Sequence, residues 1–514
     1  MTGALATPTL LSAAGPRAER GALALPAGLT LALALAIGFM PMPRDPDLWF
    51  HLASGEYILQ THTVPHTDPF SLTRNGAEWV PHSWLFDVAV AESWQYLGPR
   101  ATEAVFACFF ALAILICFGI FTNEGVAPLA AAALALGVAI AAGNARGIRP
   151  QTVSLLLSAV VIALLLRQRS RPTRRFAVIV PLIFLLWAQV HAACIVGVIL
   201  VAIWLGGRCV DALTARAWDA HRAELAPLGV GLGLGLLAVL ITPHEITLFE
   251  YARLTAGLNA LKHTQEWQPP HPLSWEIPDV YAYVLLGGVI AALAKARRRA
   301  GWPEIGICVA LLVLAMSAVR HIPLACVAAV PLLAVALGRN AATNRIQPVF
   351  RRYGGALGIC SLLVLVGLWG SFGSNGARYA AVEPVAGARA LAQLDGPWRV
   401  FTTYNTGSYV LHEAPGRLRV SIDSRADVYG DDLFNLMRQA QRGEGWQDIF
   451  ERWDFNAAVL ERGDPLAEML CDAPGWHLLA ADANALTFIR ADALPQVCVG
   501  PYGDAGRAQR VRQG

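Results

Sequence analysis

The sequence predicts an α-helical polytopic membrane protein of about eleven transmembrane helices, with a small extracytoplasmic α/β domain at its C-terminal end. Three observations lead there. The 514 residues are 55% hydrophobic and only 15% charged, too apolar for a soluble chain of this length. Apolar runs of near-spanning length recur through residues 1–373. After residue 373 the pattern changes to short stretches bounded by polar turns, which reads as strands and short helices. The expected organisation is a transmembrane domain at 1–373 with an acidic first outer loop at 42–100, a soluble α/β domain at 374–500, and a disordered tail at 501–514.

The apolar runs fall at 21–41, 101–122, 126–143, 150–166, 176–206, 225–243, 278–294, 302–319, 322–338 and 353–372. The first follows Arg17 and Arg20 and leads into prolines rather than a small-residue cleavage site, so it is expected to stay as an uncleaved first helix. The run at 176–206 would reach roughly 45 Å as one helix, against a hydrocarbon core of about 30 Å. Basic loops decide between one helix and two, because they collect on the cytoplasmic face. With a break near Trp187 to His191, the RQRSRPTRR segment at 167–175, Arg208, Arg216, Arg222, the KARRR segment at 295–299 and Arg339 to Arg352 all share one side. Eleven spans follow, with a cytoplasmic N-terminus and an extracytoplasmic C-terminal domain.

The outer loop holds more acidic than basic residues and is rich in tryptophan. LWFHLASGEYIL has helical spacing and would begin after Asp47; HSWLFDVAVAESWQYL reads as an amphipathic helix suited to the interface. VPHTDPFS and RNGAEW between them are turn-rich. In the tail, WRVFTTY, GSYVLH, RLRVSID, NAAVLE and ANALTFIR read as strands, with helices near 431–452 and 463–472.

Composition excludes several functions. The net charge of +3 comes with no basic stripe interleaved with aromatics, so nucleic acid is not an expected partner. Most of the nine cysteines lie in apolar runs, and none has metal-type spacing. Cys471 and Cys498 could pair if the tail is extracytoplasmic. No phosphate-binding loop, dinucleotide fingerprint, His-Glu-x-x-His or nucleophile elbow occurs.

The sharpest constellation is RDPDLWFH at 44–51. Asp45 and Asp47 could hold a divalent cation such as Mg²⁺ or Mn²⁺ through hard oxygens, with His51 a turn further on facing the same space, or could act as a base on an acceptor hydroxyl. Equally, Asp47 could cap the following helix while Asp45 pairs with Arg44. Asp68, Glu78, His82 and Asp87 share the loop and could add ligands or serve as turn residues. Arg146, Arg149, Gln189, His191, His244, Glu245, Glu266, Arg320 and His321 sit at the edges of apolar runs on the outer side of this topology. Arginine there can grip a lipid phosphate through its planar fork, or can snorkel. YNTGSY at 404–409 and DSRADVYGDD at 423–432 either face that boundary or form an internal Asp–Arg network.

DPDLWFHLASGEYIL, TDPFS, HSWLFD, ARGIRPQ, WAQVH, TPHEITLFEY, TQEWQPP, VRHIPL, YNTGSYV and DSRADVYGDD, in this order, make the chain resemble bacterial membrane proteins related to the GT-C glycosyltransferases. The resemblance spans most of the chain. It implies a bacterial inner-membrane glycosyltransferase of the hexosyl or pentosyl class, moving a sugar from a polyprenyl-phosphate donor to an envelope glycan, lipid or protein. Asp45 or Asp47 would be the base or metal ligand. His51, His82, Arg146, Arg149, His191, Glu266, Arg320 and His321 would surround the substrates. The Trp-Trp-Asp-Tyr-Gly motif of oligosaccharyltransferases is missing, so peptide glycosylation is not expected. The alternative is a non-enzymatic transporter or envelope-assembly scaffold; a transporter would show repeated halves, and none is visible.

Overall fold

Prolines open most of the apolar helices, where a missing N–H costs nothing. The computed structural model describes residues 16–40, 45–259, 264–272, 274, 276–296, 299–338 and 375–493. The apolar helices among them are α1 (Pro16–Phe39), α4 (Pro99–Asn123), α5 (Pro128–Ala141), α6 (Pro150–Ser170), α7 (Phe176–Val190), α8 (Cys194–Thr214), α9 (Trp218–Val239), α11 (Ile277–Ala296), α12 (Trp302–Ser317) and α13 (Ile322–Leu337). Six helical stretches among the described residues are long and apolar enough to cross a bilayer, and four shorter apolar ones accompany them. The run expected at 353–372 lies outside the described residues, as do Arg44 and Cys498.

The long run at 176–206 is two helices. Residue His191 takes an extended conformation (φ −165°, ψ 137°) that ends α7. The break is tied to α6: the Trp187 indole N–H donates to Ser154 Oγ (2.8 Å), which also bonds His191 Nδ1 (2.7 Å). Small residues let neighbouring helices close on α7. Gly231 and Gly235 of α9 lie against the Phe176 and Phe184 rings, the close approach that substitutes for a hydrophobic drive inside lipid.

The outer loop contributes α2 (Asp47–Thr61) and α3 (Trp84–Leu97), both near their expected positions, and α10 (Thr247–Gly257) lies in a later connection. Helices α2 and α3 touch at Gly55, where any Cβ would strike the Asp87 carbonyl.

The C-terminal part holds α14 (Asn375–Val382), α15 (Val385–Gln393), β1 (Trp398–Thr402), α16 (Gly407–Glu413), β2 (Leu418–Val420), α17 (Ala426–Gln441), α18 (Trp446–Trp453), β3 (Ala457–Glu461), α19 (Pro465–Asp472), β4 (Trp476–Ala481) and β5 (Ala485–Arg490). The sheet order is β2-β1-β3-β5-β4, parallel across β2-β1-β3 and antiparallel beyond. GSYVLH, expected as a strand, is the helix α16, because Gly407 lies so close to the Ile422 carbonyl that it packs under the sheet edge instead of pairing. Strand β4 escaped notice because WHLLAA does not alternate.

Among the described residues the buried apolar side chains form two large cores and a smaller one between α11, α12 and α13. One large core joins the apolar helices. The other joins the outer loop to the C-terminal sheet, with Leu48, Trp49, Leu52, Phe70 and Trp79 packed among Val400, Tyr409, Val410 and Tyr429. Trp49 alone meets the rings of Tyr379, Tyr409 and His412 at 5.0, 4.7 and 5.3 Å. Loop and tail are therefore one packed unit above the helices.

Candidate functional site

A cavity of about 680 Å³ opens between that unit and the helix ends, within the size range of small-molecule sites. Pro46 and Asp47, Arg149, and the Thr264–Glu266 segment line one side; Thr403–Asn405, Ile422, residues of α17 and the β3–α19 connection line the other.

Arg149 organises the first side. It precedes Pro150, and its extended backbone (φ −134°, ψ 145°) is the conformation that proline imposes on its predecessor. Its guanidinium grips Asp45 with two bonds, Nε to Oδ2 at 2.6 Å and Nη2 to Oδ1 at 2.9 Å. Nη1 reaches Glu266 at 3.5 Å, and the other Glu266 oxygen lies 3.6 Å from Arg320. Arg320 sits 4.0 Å above the Trp267 ring. The result is an alternating chain of charge, Asp45–Arg149–Glu266–Arg320, of which Arg149 and Glu266 line the cavity and Asp45 and Arg320 stand behind them.

Asp47 stands beside this chain but outside it. It occupies the first turn of α2 without making a side-chain cap bond. Its carboxyl is pushed up to about 6, first by burial and next by the Asp45 charge, with Arg149 opposing. A carboxylate so held is poised to accept a proton near neutral pH. The spacing that brought Asp45 and Asp47 together as candidates thus separates into two environments, one neutralised by a fork and one uncommitted.

The remaining candidates, His51, His82, Arg146, His191 and His321, are not among the residues that line the cavity and have other duties. His51 is buried and bonds Asp87 (2.7 Å), which also accepts from Ser54 (2.7 Å) and Ser83 (3.0 Å); together they join α2 to α3. Arg146 donates to the carbonyls of Met40 and Gly143. His321 bonds the Leu314 carbonyl. His82 stacks on Tyr251 at 4.4 Å and lies 6.1 Å from the His191 ring. Burial pushes the His82 imidazole down to about 3, so it is neutral at physiological pH.

Tested against this geometry, the aspartate pair makes a poor divalent-cation seat. Both Asp45 oxygens already accept from Arg149, and among the described residues no group of three or more His, Cys, Asp and Glu could hold a metal ion.

Sequence reasoning missed most of the second side. Tyr404 and Asn405 of YNTGSY do face the cavity, while the second tail motif builds an internal network: Arg425 bonds Asp423 and Asp68, and the Tyr429 hydroxyl donates to Asp423. Phe434, Arg438 and Gln441, with Arg442 just beyond, line the cavity from α17. Their spacing of four, three and one is one face of a helix, a signal available in the sequence. Asp427, pushed up to about 6 by burial, lies near enough for Asp47 to act on it.

The chain shares the fold of ArnT from Cupriavidus metallidurans: the apo crystal structure matches with a TM-score of 0.55 over 91% of this chain and 98% of that one, at 14% identity. ArnT bound to undecaprenyl phosphate matches with a TM-score of 0.50 over 91% of this chain and 99% of that one, at 15% identity. No protein-family model matches the chain, and no curated protein matches it in sequence.

Proposed function

We propose that this protein is a bacterial inner-membrane glycosyltransferase that moves a sugar from a polyprenyl-phosphate donor to an acceptor hydroxyl, with the C-terminal domain on the extracytoplasmic face. The observation that carries the proposal is Asp47: a carboxylate with a raised pKa, whose side chain makes no hydrogen bond among the described residues, next to an arginine already fixed by a neighbouring aspartate. The structure of ArnT with undecaprenyl phosphate supports the donor class, since that protein shares the fold.

In this reading Asp47 accepts the proton of the acceptor hydroxyl as its oxygen attacks C1 of the sugar. The C1–O bond to phosphate breaks, and its electron pair leaves on the polyprenyl phosphate. Arg149, which lines the cavity, and Arg320 behind Glu266 balance the charge that grows on that phosphate, the preorganised electrostatic term that usually contributes most. Asp45 is a positioning residue that holds the Arg149 fork. Stacked on Tyr251, neutral His82 forms part of the buried surround and carries no charge into it.

The test is transfer from radiolabelled polyprenyl-phosphate sugars to membrane-extracted acceptors by the purified protein, beside Asp47→Asn and Asp45→Asn, with and without chelator. Transfer that is lost in Asp47→Asn and indifferent to chelator is the expected result. Full transfer by Asp47→Asn would remove the assignment.

A further inference from the structure

The C-terminal sheet places a second ligand site against the catalytic floor. In the β2-β1-β3 portion the chain leaves β1 for β2 on one side, then passes back to β3 on the other. Between the carboxyl ends of β1 and β3 the connections therefore diverge, and open parallel sheets bind ligands at such a crevice. The cavity wall is this crevice: Thr403, Tyr404 and Asn405 follow β1, Glu461 ends β3, and Asp464 precedes α19.

The groups there differ in how far they are committed. Asp464 accepts from Gln441 Nε2 (2.7 Å) and from the Glu461 N–H (2.8 Å). Asn405 Nδ2 lies 3.4 Å from both Glu461 oxygens. Arg442 is engaged by Glu444, at 3.1 Å. Arg438 faces the same space, and among the described residues its side chain has neither hydrogen bond nor ion pair. A planar cation facing a cavity with no counter-charge of its own fits a bidentate anion, phosphate or carboxylate. Carboxylates and an amide beside it fit sugar hydroxyls, which need acceptors as much as donors.

Resting on the transferase reading above, we infer that this crevice is the acceptor subsite, and that the acceptor is a sugar bearing an anionic group held by Arg438. The two sides of the cavity then divide the work: Arg149 and Arg320 receive the donor phosphate, and Arg438 fixes the acceptor anion so that a neighbouring hydroxyl reaches Asp47.

Equilibrium binding of glucose 6-phosphate, glucuronic acid and glucose to the full-length protein in nanodiscs tests this, with Arg438→Ala, Arg438→Lys and Asp47→Asn as variants of verified fold. Expected is binding of one or both anionic sugars above glucose, weakened about tenfold or more in Arg438→Ala and partly kept in Arg438→Lys, with the preference for an anionic sugar over glucose retained in Asp47→Asn. The tighter of the two sugar acids identifies the anion. In the transfer assay, Arg438→Ala should raise the acceptor KM and leave the donor KM alone. Sugar acids that bind no better than glucose, or that bind Arg438→Ala as well as the parent protein, would overturn the subsite. Arg438-dependent binding without any donor turnover would instead keep the subsite and remove the transferase reading.

Discussion

Arg425 and Asp68 stand 357 positions apart in the chain and share a hydrogen bond of 2.9 Å, with both side chains almost wholly buried. The guanidinium also lies over the Trp79 ring at 4.7 Å and bonds both oxygens of Asp423. This cluster clamps the C-terminal sheet to the first outer loop. Asp68→Ala leaves Arg425 its two bonds to Asp423 but removes the one that crosses to the loop, and should cost about 1–3 kcal/mol, the scale for a lost buried hydrogen bond to a charged group. Thermal unfolding in detergent checks it, and Arg425→Met, which takes the counter-charge from both Asp68 and Asp423, should cost more, about 3–5 kcal/mol.

Asp47 gives a prediction with opposite signs for activity and stability. Its carboxyl sits at about 6 in the folded protein against an ordinary 3.8, so the folded state binds the proton more tightly than the unfolded one. Stability is then lost as pH rises between those values. Above pH 6, Asp47→Asn should gain on the order of 1–3 kcal/mol while transfer falls by about 100-fold or more. Had Asp47 been a helix cap, its replacement would leave activity intact and bring no gain in stability. Melting curves at pH 7.5 beside transfer rates separate the two.

The pH–rate profile follows from the same group. Since the base works ionised, kcat/KM should fall tenfold per unit as pH drops below about 6. A flat acidic limb down to pH 4.5 would point to another base.

Arg149→Lys keeps a charge but loses the fork on Asp45. Transfer should fall about 100- to 1,000-fold, with the loss mainly in kcat. A variant as active as the parent would show that the fork is structural only.

Gly55→Ala drives a methyl into the Asp87 carbonyl and should lower stability by about 1–3 kcal/mol, the range for overpacking. The check is detergent-extracted yield and melting temperature, with the specific activity of the surviving protein unchanged.

Much of this architecture could be read from the residues. Apolar run lengths located the helices, and the placement of arginines required the break that His191 makes. Asp45, Asp47, Arg149, Glu266 and Arg320 were all visible as polar residues at the ends of apolar runs, where a charge needs a reason. Their pairing was not visible: nothing in the spacing says that Arg149 takes Asp45 and leaves Asp47 open, because that depends on the extended turn before Pro150. The second side of the cavity was harder still. Arg438 and Gln441 look like the solvated face of an ordinary amphipathic helix, and only the sheet topology turns that face toward Asp47. GSYVLH misled because a six-residue apolar stretch carries no usable period, and the close contact at Gly407 decided it.

The two walls of the cavity come from residues near 47 and from residues between 403 and 465, so the order of synthesis matters. At about 5–20 residues per second, tens of seconds separate the emergence of Asp47 from that of Arg438. During that interval the floor residues are already threaded into the bilayer while the lid that completes them does not yet exist. A half-made chain has one wall of the cavity and not the other, and the Arg425–Asp68 contact that joins them waits for the C-terminal part.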